Sequence, residues 1–299
     1  MKRYIFLACA ALLSACASHQ GQPAGAKPAK SPPVAFTVAK DIVYTPADWP
    51  ARLTSDIYTP AGRGPFPAIV MIHGGGWNGR TRSDMDRYCE MAAARGYVVM
   101  NISYRLVPTA RFPAQLHDVQ QAVIWLRTNA AKQNIRPDSI AAWGYSAGAH
   151  LATLLAMTGP GDRQFVAGSR VQAVIGGGTP VDLRFYPNGE LVNGLMGVSL
   201  TQDPDLWGDA SPMTVLTPDD PPTFLYHGTF DFTVAVRNAE VMYDALNQAH
   251  IPAELYLVRG LEHISTFWID APAEKGIDFL DRHLKKNSLA EHAQLTEKK

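Results

Sequence analysis

Residues Ser139–Leu151 read SIAAWGYSAGAHL. An apolar run, Ile140–Trp143, meets Gly144-Tyr145-Ser146-Ala147-Gly148, and a helix-like pattern follows. Strand, tight turn and helix in that order form the context of the G-x-S-x-G elbow. A serine held at a strained strand-to-helix turn needs neighbours without bulk, so that its hydroxyl can project from the backbone. Gly144 and Gly148 supply the room, and the helix after Ser146 aims backbone N–H groups and its positive dipole end at the same place. Two glycines and one serine in five residues are weak evidence alone. The flanking pattern and two further motifs give them weight.

Working outward, strand and helix signals alternate. Val34–Tyr44 and Leu53–Tyr58 read as an opening antiparallel pair, and Phe66–His73 is the short apolar run of a strand covered on both faces. Arg82–Arg95 is helical and stops at Gly96, and Val98–Tyr104 is the next strand. Pro113 opens a helix with Leu116, Val119, Val123 and Leu126 on one face. Ile140–Trp143 leads into the elbow, with Ala149–Met157 as its helix. Val171–Ile175 follows, and Thr223–His227, Val236–Gln248, Ala253–Val258 and Phe267–Leu284 give a strand, helix, strand, helix ending. The pattern predicts one α/β domain over 34–286, built on a mostly parallel doubly wound sheet with helices on both faces and no large cap domain. Ligands of such sheets bind at the carboxyl ends of the strands. A charged tail, 287–299, follows.

The N-terminus belongs to export rather than fold. Met1-Lys2-Arg3 is a short positive region, Ile5–Leu13 is too short to span a bilayer, and small residues follow, so 1–15 reads as a secretory signal. Leu13-Ser14-Ala15-Cys16 resembles the bacterial lipobox, which implies lipid on Cys16 as the first mature residue; an ordinary cleaved signal with Cys16 incidental is the alternative. Ala17 after the cysteine resembles the pattern sent to the outer membrane of Gram-negative bacteria. Residues 16–33, rich in Pro, Gly, Ala and Lys, are expected to be a flexible tether. With Cys9 removed and Cys16 lipidated, only Cys89 remains. Its spacing with Met85, Tyr88 and Ala92 places it in a helix core. Loss of Lys2 and Arg3 leaves 25 basic against 27 acidic residues, a net −2, and no basic stretch points to nucleic acid.

Three motifs carry chemistry. His73-Gly74-Gly75-Gly76-Trp77 follows the Phe66 strand; three glycines let main-chain N–H groups approach a developing oxyanion closely, and Gly74, Gly75 and Ala147 are the candidate donors. A serine hydroxyl needs a base, itself oriented by an acid. The base is expected after the last strand, where His263 stands in Arg259-Gly260-Leu261-Glu262-His263. The other histidines fit worse. His19 lies in the tether, His283 and His292 near the C-terminus, His73 in the glycine loop, His117, His150 and His250 on helices, and His227 on a strand. His150, one turn past Ser146, is expected to pack or hydrogen-bond beneath the elbow. The acid is expected on the turn after Thr223–His227, which is Asp231; Asp182, after the Val171 strand, is the competitor. Asp219 and Asp220 lie at the wrong end of a strand, and Asp118 suits a structural pairing. No histidine spacing resembles a zinc site, and this chemistry calls for no metal or cofactor.

Ser, Asp and His in that order, with HGGGW and GYSAG, resemble the α/β-hydrolase superfamily. Within it the chain is similar to bacterial esterases of the hormone-sensitive-lipase and feruloyl-esterase-like group over residues 40–285. Tyr104-Arg105-Leu106, Phe112-Pro113-Ala114, Asp118, Ser146–His150, Asp209-Ala210-Ser211-Pro212 and Pro221-Pro222 share in the likeness. The resemblance implies a serine carboxylesterase acting on small or medium-chain, uncharged esters through an acyl-enzyme. An acetyl-xylan or feruloyl-type esterase, an arylformamidase, a small peptidase, or an inactive hydrolase-fold binding protein are the alternatives. The chain leaves little room for the N-terminal helical cap of hormone-sensitive-lipase relatives. Residues Leu183–Asp220, with Phe185, Tyr186, Leu195, Met196 and Trp207, are then either a short lid or a surface connection packing its own aromatics. Trp77, Tyr145, Phe230, Phe232 and Phe267 flank the motifs as candidate apolar wall.

Overall fold

The computed structural model describes residues 17–20 and 32–285. Cys16, the residues 1–15 read above as a secretory signal, and the tail from residue 286 lie outside the described residues. Among those described, nine strands form one sheet: β1 Ala17–Gln20, β2 Phe36–Val43, β3 Thr54–Pro60, β4 Phe66–Ile72, β5 Val98–Ile102, β6 Ile135–Tyr145, β7 Ala173–Gly177, β8 Thr223–Gly228 and β9 Ala253–Val258. Their order across the sheet is β1-β9-β8-β7-β6-β4-β5-β3-β2. Every neighbour pair from β5 across to β9 is parallel, whereas β1, β2 and β3 pair antiparallel. The expected mostly parallel sheet is therefore present.

Side-chain alternation sorts the core into two layers. On β4, Ala68, Val70 and Ile72 pack into one apolar cluster while Ile69 and Met71 join the other. On β6, Ile140 and Ala142 face one way and Ala141, Trp143 and Tyr145 the other. A strand buried on both faces must be apolar at successive positions, which is why these runs show no polar alternation. Leu116, Val119, Val123 and Leu126 of the Ala114–Thr128 helix and the whole Ala147–Met157 helix are buried. Cys89 lies in the second cluster, fully buried, with its thiol pushed well up by desolvation.

Three elements differ from expectation. Ala17–Gln20, placed in the tether by composition, pairs antiparallel with β9. β9 is the last parallel strand and would otherwise leave a row of backbone groups open, which a short segment of any composition can cover. The Phe267–Leu284 helix is two, His263–Phe267 and Asp270–Leu280, separated at Trp268 and Ile269. Arg82–Met85 is a 3-10 turn leading into the Asp86–Ala94 helix. β4 is joined to β5 on one side and to β6 on the other, so the chain reverses its direction of travel there, and a crevice opens above the carboxyl ends of β4 and β6.

Candidate active site

Ser146 sits in that crevice with φ 54° and ψ −123°. A non-glycine residue at positive φ is strained, by about 1–3 kcal/mol, and persists only where its surroundings enforce it. Here β6 runs straight into the Ala147–Met157 helix, and Ser146 N–H donates to Gly177 O at 2.8 Å while Ser146 O accepts from His150 N at 2.9 Å. The two glycines permit the helix to lie this close. A Cβ on Gly144 would overlap the Gly148 carbonyl, and one on Gly148 would overlap the Ile72 carbonyl oxygen. Gly74 rests directly over the serine, where a Cβ would stand 2.8 Å from Tyr145 O and 3.3 Å from Ser146 Cβ.

The donors proposed for an oxyanion have their N–H groups unused. Among the described residues, no hydrogen bond takes the N–H of Gly74, Gly75, Gly76 or Ala147. Ala147 is 1 % exposed, and a buried backbone N–H without an acceptor is rare unless something else is meant to occupy it. Beneath the loop, Trp77 Nε1–H donates to His150 Nδ1 at 3.2 Å, and His150 Nε2–H donates to Ala210 O at 2.7 Å. Burial, only partly offset by the Ala210 bond, pushes His150 down to about 4, so it stays neutral and serves as a strut. Trp77 is thus mainly structural, although one face lines the cavity.

His263 and Asp231 come from the loops after β9 and β8. His263 opens the His263–Phe267 helix, whose cap is Glu262: its carboxylate accepts from Ile264 N at 3.0 Å and Ser265 N at 2.6 Å. His263 Nδ1–H donates to Asp231 Oδ2 at 2.6 Å, and Tyr145 O–H donates to the His263 carbonyl at 2.5 Å. Asp231 Oδ1 accepts from Thr233 N at 2.9 Å and Val234 N at 2.8 Å. Burial alone would raise this carboxyl. The neighbouring imidazoles of His227 and His263 and the Val234 N–H outweigh it and hold the group well below the usual carboxylate range. Nδ1 of His263 therefore carries its proton toward a permanent anion, and Nε2 remains available as a base.

Asp182 is elsewhere. Its carboxylate is bidentate to Arg184 at 2.7 and 2.8 Å and caps the turn Leu183–Phe185. Asp118 takes the structural part expected of it, clamped by Arg105 and by Trp49 Nε1–H at 2.8 Å.

Ser146 and His263 line one cavity of about 470 Å³ with the glycine loop, and no hydrogen bond joins them. Its walls include Tyr145, Tyr186, Leu191, Val192 and Phe267. Part of the Leu183–Asp220 segment thus walls the site, while Leu195, Met196 and Trp207 pack into the main core rather than among themselves at the surface. Phe230 does not line the cavity; it and Phe232 project into solvent on either side of Asp231. Alternation explains the difference: with Asp231 turned inward, its two neighbours on the turn face out. Ile264 and Trp268 do line the cavity and were not expected, because they depend on the helix that starts at His263. The one available signal was Glu262 three residues before Ser265, a reciprocal capping pair.

An elbow serine and a His–Asp pair at the carboxyl ends of a mostly parallel sheet with an antiparallel entry are the arrangement of the α/β-hydrolase fold. A model of the BD-FAE family matches residues 55–246, and the chain belongs to that family. Esterase LipC of Mycobacterium tuberculosis is 29% identical over 73% of this chain and 54% of its own length, and the probable carboxylic ester hydrolase LipM of the same organism is 31% identical over 62% and 46%. The chain spans about half the length of these curated relatives. Among solved structures, a truncated carbohydrate esterase from gut microbiota superposes with TM-score 0.74 at 24% identity, covering 87% of this chain and 100% of its own. The Thermogutta terrifontis esterase 2 superposes with TM-score 0.68 at 25% identity, covering 84% and 92%.

Proposed function

We propose that the chain is a serine carboxylic-ester hydrolase that works through an acyl-enzyme. The observation that carries this reading is the Asp231–His263 hydrogen bond opening on the cavity that Ser146 lines. Ser146 Oγ attacks the ester carbonyl while His263 Nε2 takes its proton. The oxyanion is held by Ala147 N–H and glycine-loop amides, and His263 returns the proton to the departing alkoxide. Water then repeats the sequence on the acyl-enzyme. The apolar walls and modest volume favour uncharged esters of short to medium acyl chains. On p-nitrophenyl esters from acetate to palmitate, kcat/KM should rise to about six to eight carbons, each buried methylene contributing up to about 0.8 kcal/mol, and then level off. Ser146→Ala should lower kcat by about 10⁴- to 10⁶-fold in a protein that still folds. A variant retaining more than about a tenth of the wild-type rate would sink the assignment.

Esters decorating a polysaccharide are the second reading, supported by Trp268, exposed beside the cavity with Asp84 and Glu190 at its edge, where a sugar could stack and hydrogen-bond. Acetylated xylan and methyl ferulate belong in the same panel. The Leu13–Cys16 pattern supports lipid on Cys16 and a place on the outer membrane of a Gram-negative bacterium. Cys16→Ser should abolish labelling by a palmitate analogue while activity per folded molecule holds; unlabelled wild-type protein with another mature N-terminus would show an ordinary secreted enzyme.

A further inference from the structure

His227 takes no part in the chemistry above, yet it is the only fully buried histidine besides His150 among the described residues. It lies on β8, four residues before Asp231, and the turn Gly228–Phe230 folds the aspartate back onto it. His227 Nε2 stands 2.7 Å from Val234 O and 3.2 Å from Asp231 Oδ2. A carbonyl oxygen only accepts, so Nε2 carries the hydrogen and donates it to Val234 O, with the carboxylate 3.2 Å away beside it. Nδ1 is buried with no partner among the described residues. Oδ2 of Asp231 is therefore bracketed by two imidazoles, His263 from the cavity side and His227 from the sheet side, while Oδ1 is held by two amides.

We propose that His227 is a positioning residue for the acid of the triad: a buried N–H donor that fixes the plane of the Asp231 carboxylate and keeps it anionic beside His263. The arrangement has a physical logic. A carboxylate out of water needs its lone pairs filled, and each missing donor makes it more basic. A protonated or rotated Asp231 could no longer hold the Nδ1–H tautomer of His263. The other groups facing Asp231 are the phenols of Tyr145, at the end of β6, and Tyr186, after β7, both kept protonated by burial. Glu262 is the carboxylate on the His263 side. None of these can replace an N–H donor from beneath the sheet end.

This inference rests on the triad reading, and the test separates the two. kcat and KM are measured for wild type, His227→Leu and His227→Gln on p-nitrophenyl butyrate from pH 5 to 9, with rates referred to titrated active sites. The Leu variant should lose about 10- to 100-fold in kcat with KM changed less than about twofold. Its pH profile should shift from the wild-type position, because the carboxylate that holds His263 Nδ1–H has lost a neighbouring N–H. The Gln variant, whose Nε2 amide can present an N–H near the same point, should recover most of the rate. A residue that only packs would lower the folded fraction or the melting temperature and leave kcat per active site and the pH profile as in wild type; that result overturns the proposal. If the Leu variant does not fold, ¹⁵N NMR of the wild-type imidazoles decides: protonated Nε2 and bare Nδ1 on His227 across the range supports the proposal, and the reverse tautomer overturns it. Full activity in Asp231→Asn would instead sink the triad itself.

Discussion

The site has two halves of different construction. The half above β4 and β6 is made of backbone: a serine at positive φ, unpaired amides on Ala147 and the glycine loop, and a helix laid against a strand end with no side chain between. The half above β8 and β9 is made of side chains: a hydrogen bond joins Asp231 to His263, 32 residues away, and His227 approaches the same carboxylate to 3.2 Å. Backbone construction tolerates almost no added volume. Side-chain construction tolerates volume but depends on every donor being in place.

The largest effect that sharpens this contrast, after loss of the nucleophile, is on the acid. Asp231→Asn should cost about 10²- to 10⁴-fold in kcat with little change in stability, because the amide reverses the hydrogen-bonding preference at His263 Nδ1. Asp182→Asn, which only loosens the Arg184 pair, should stay near the wild-type rate. The reverse ranking on one ester would return the acid to Asp182. Next comes the backbone half. Gly74→Ala would press a methyl against Tyr145 O and Ser146; if the proposed oxyanion donor is displaced with it, kcat should fall by about 10²-fold with the fold retained. A rate within threefold of wild type would show that this amide is not used.

The smallest effect concerns the strut between the halves and the core. His150 is held near 4, below its ordinary 6.5. As pH falls the unfolded chain therefore binds this proton first. Stability owed to the neutral buried imidazole is intact above about 6.5, declines between about 6.5 and 4, and is about 3 kcal/mol lower beneath that window. Thermal melts at pH 7 and 4.5 check it: His150→Gln should start less stable and lose less on acidification than wild type. Equal losses would remove His150 from the account.

The elbow at Ser146, the glycine loop and the succession of strands along the chain were legible in the sequence because each is a contiguous pattern whose backbone consequence is local. A glycine pair around a serine between an apolar run and a helix permits few conformations. His263 was legible by position in the chain, and Asp231 was favoured over Asp182 on the same ground. Only the tertiary structure decided that Asp182 is occupied by Arg184, that Tyr186, Leu191 and Val192 wall the cavity while Trp207 does not, and that Phe230 faces solvent. Only it brought His227 against Asp231 and set Ala17–Gln20 along β9. The reason is physical. Backbone geometry is constrained by nearest neighbours in the chain, whereas the partner of a carboxylate, the lining of a cavity and the cover on a sheet edge depend on which distant segments folding brings within a few ångströms.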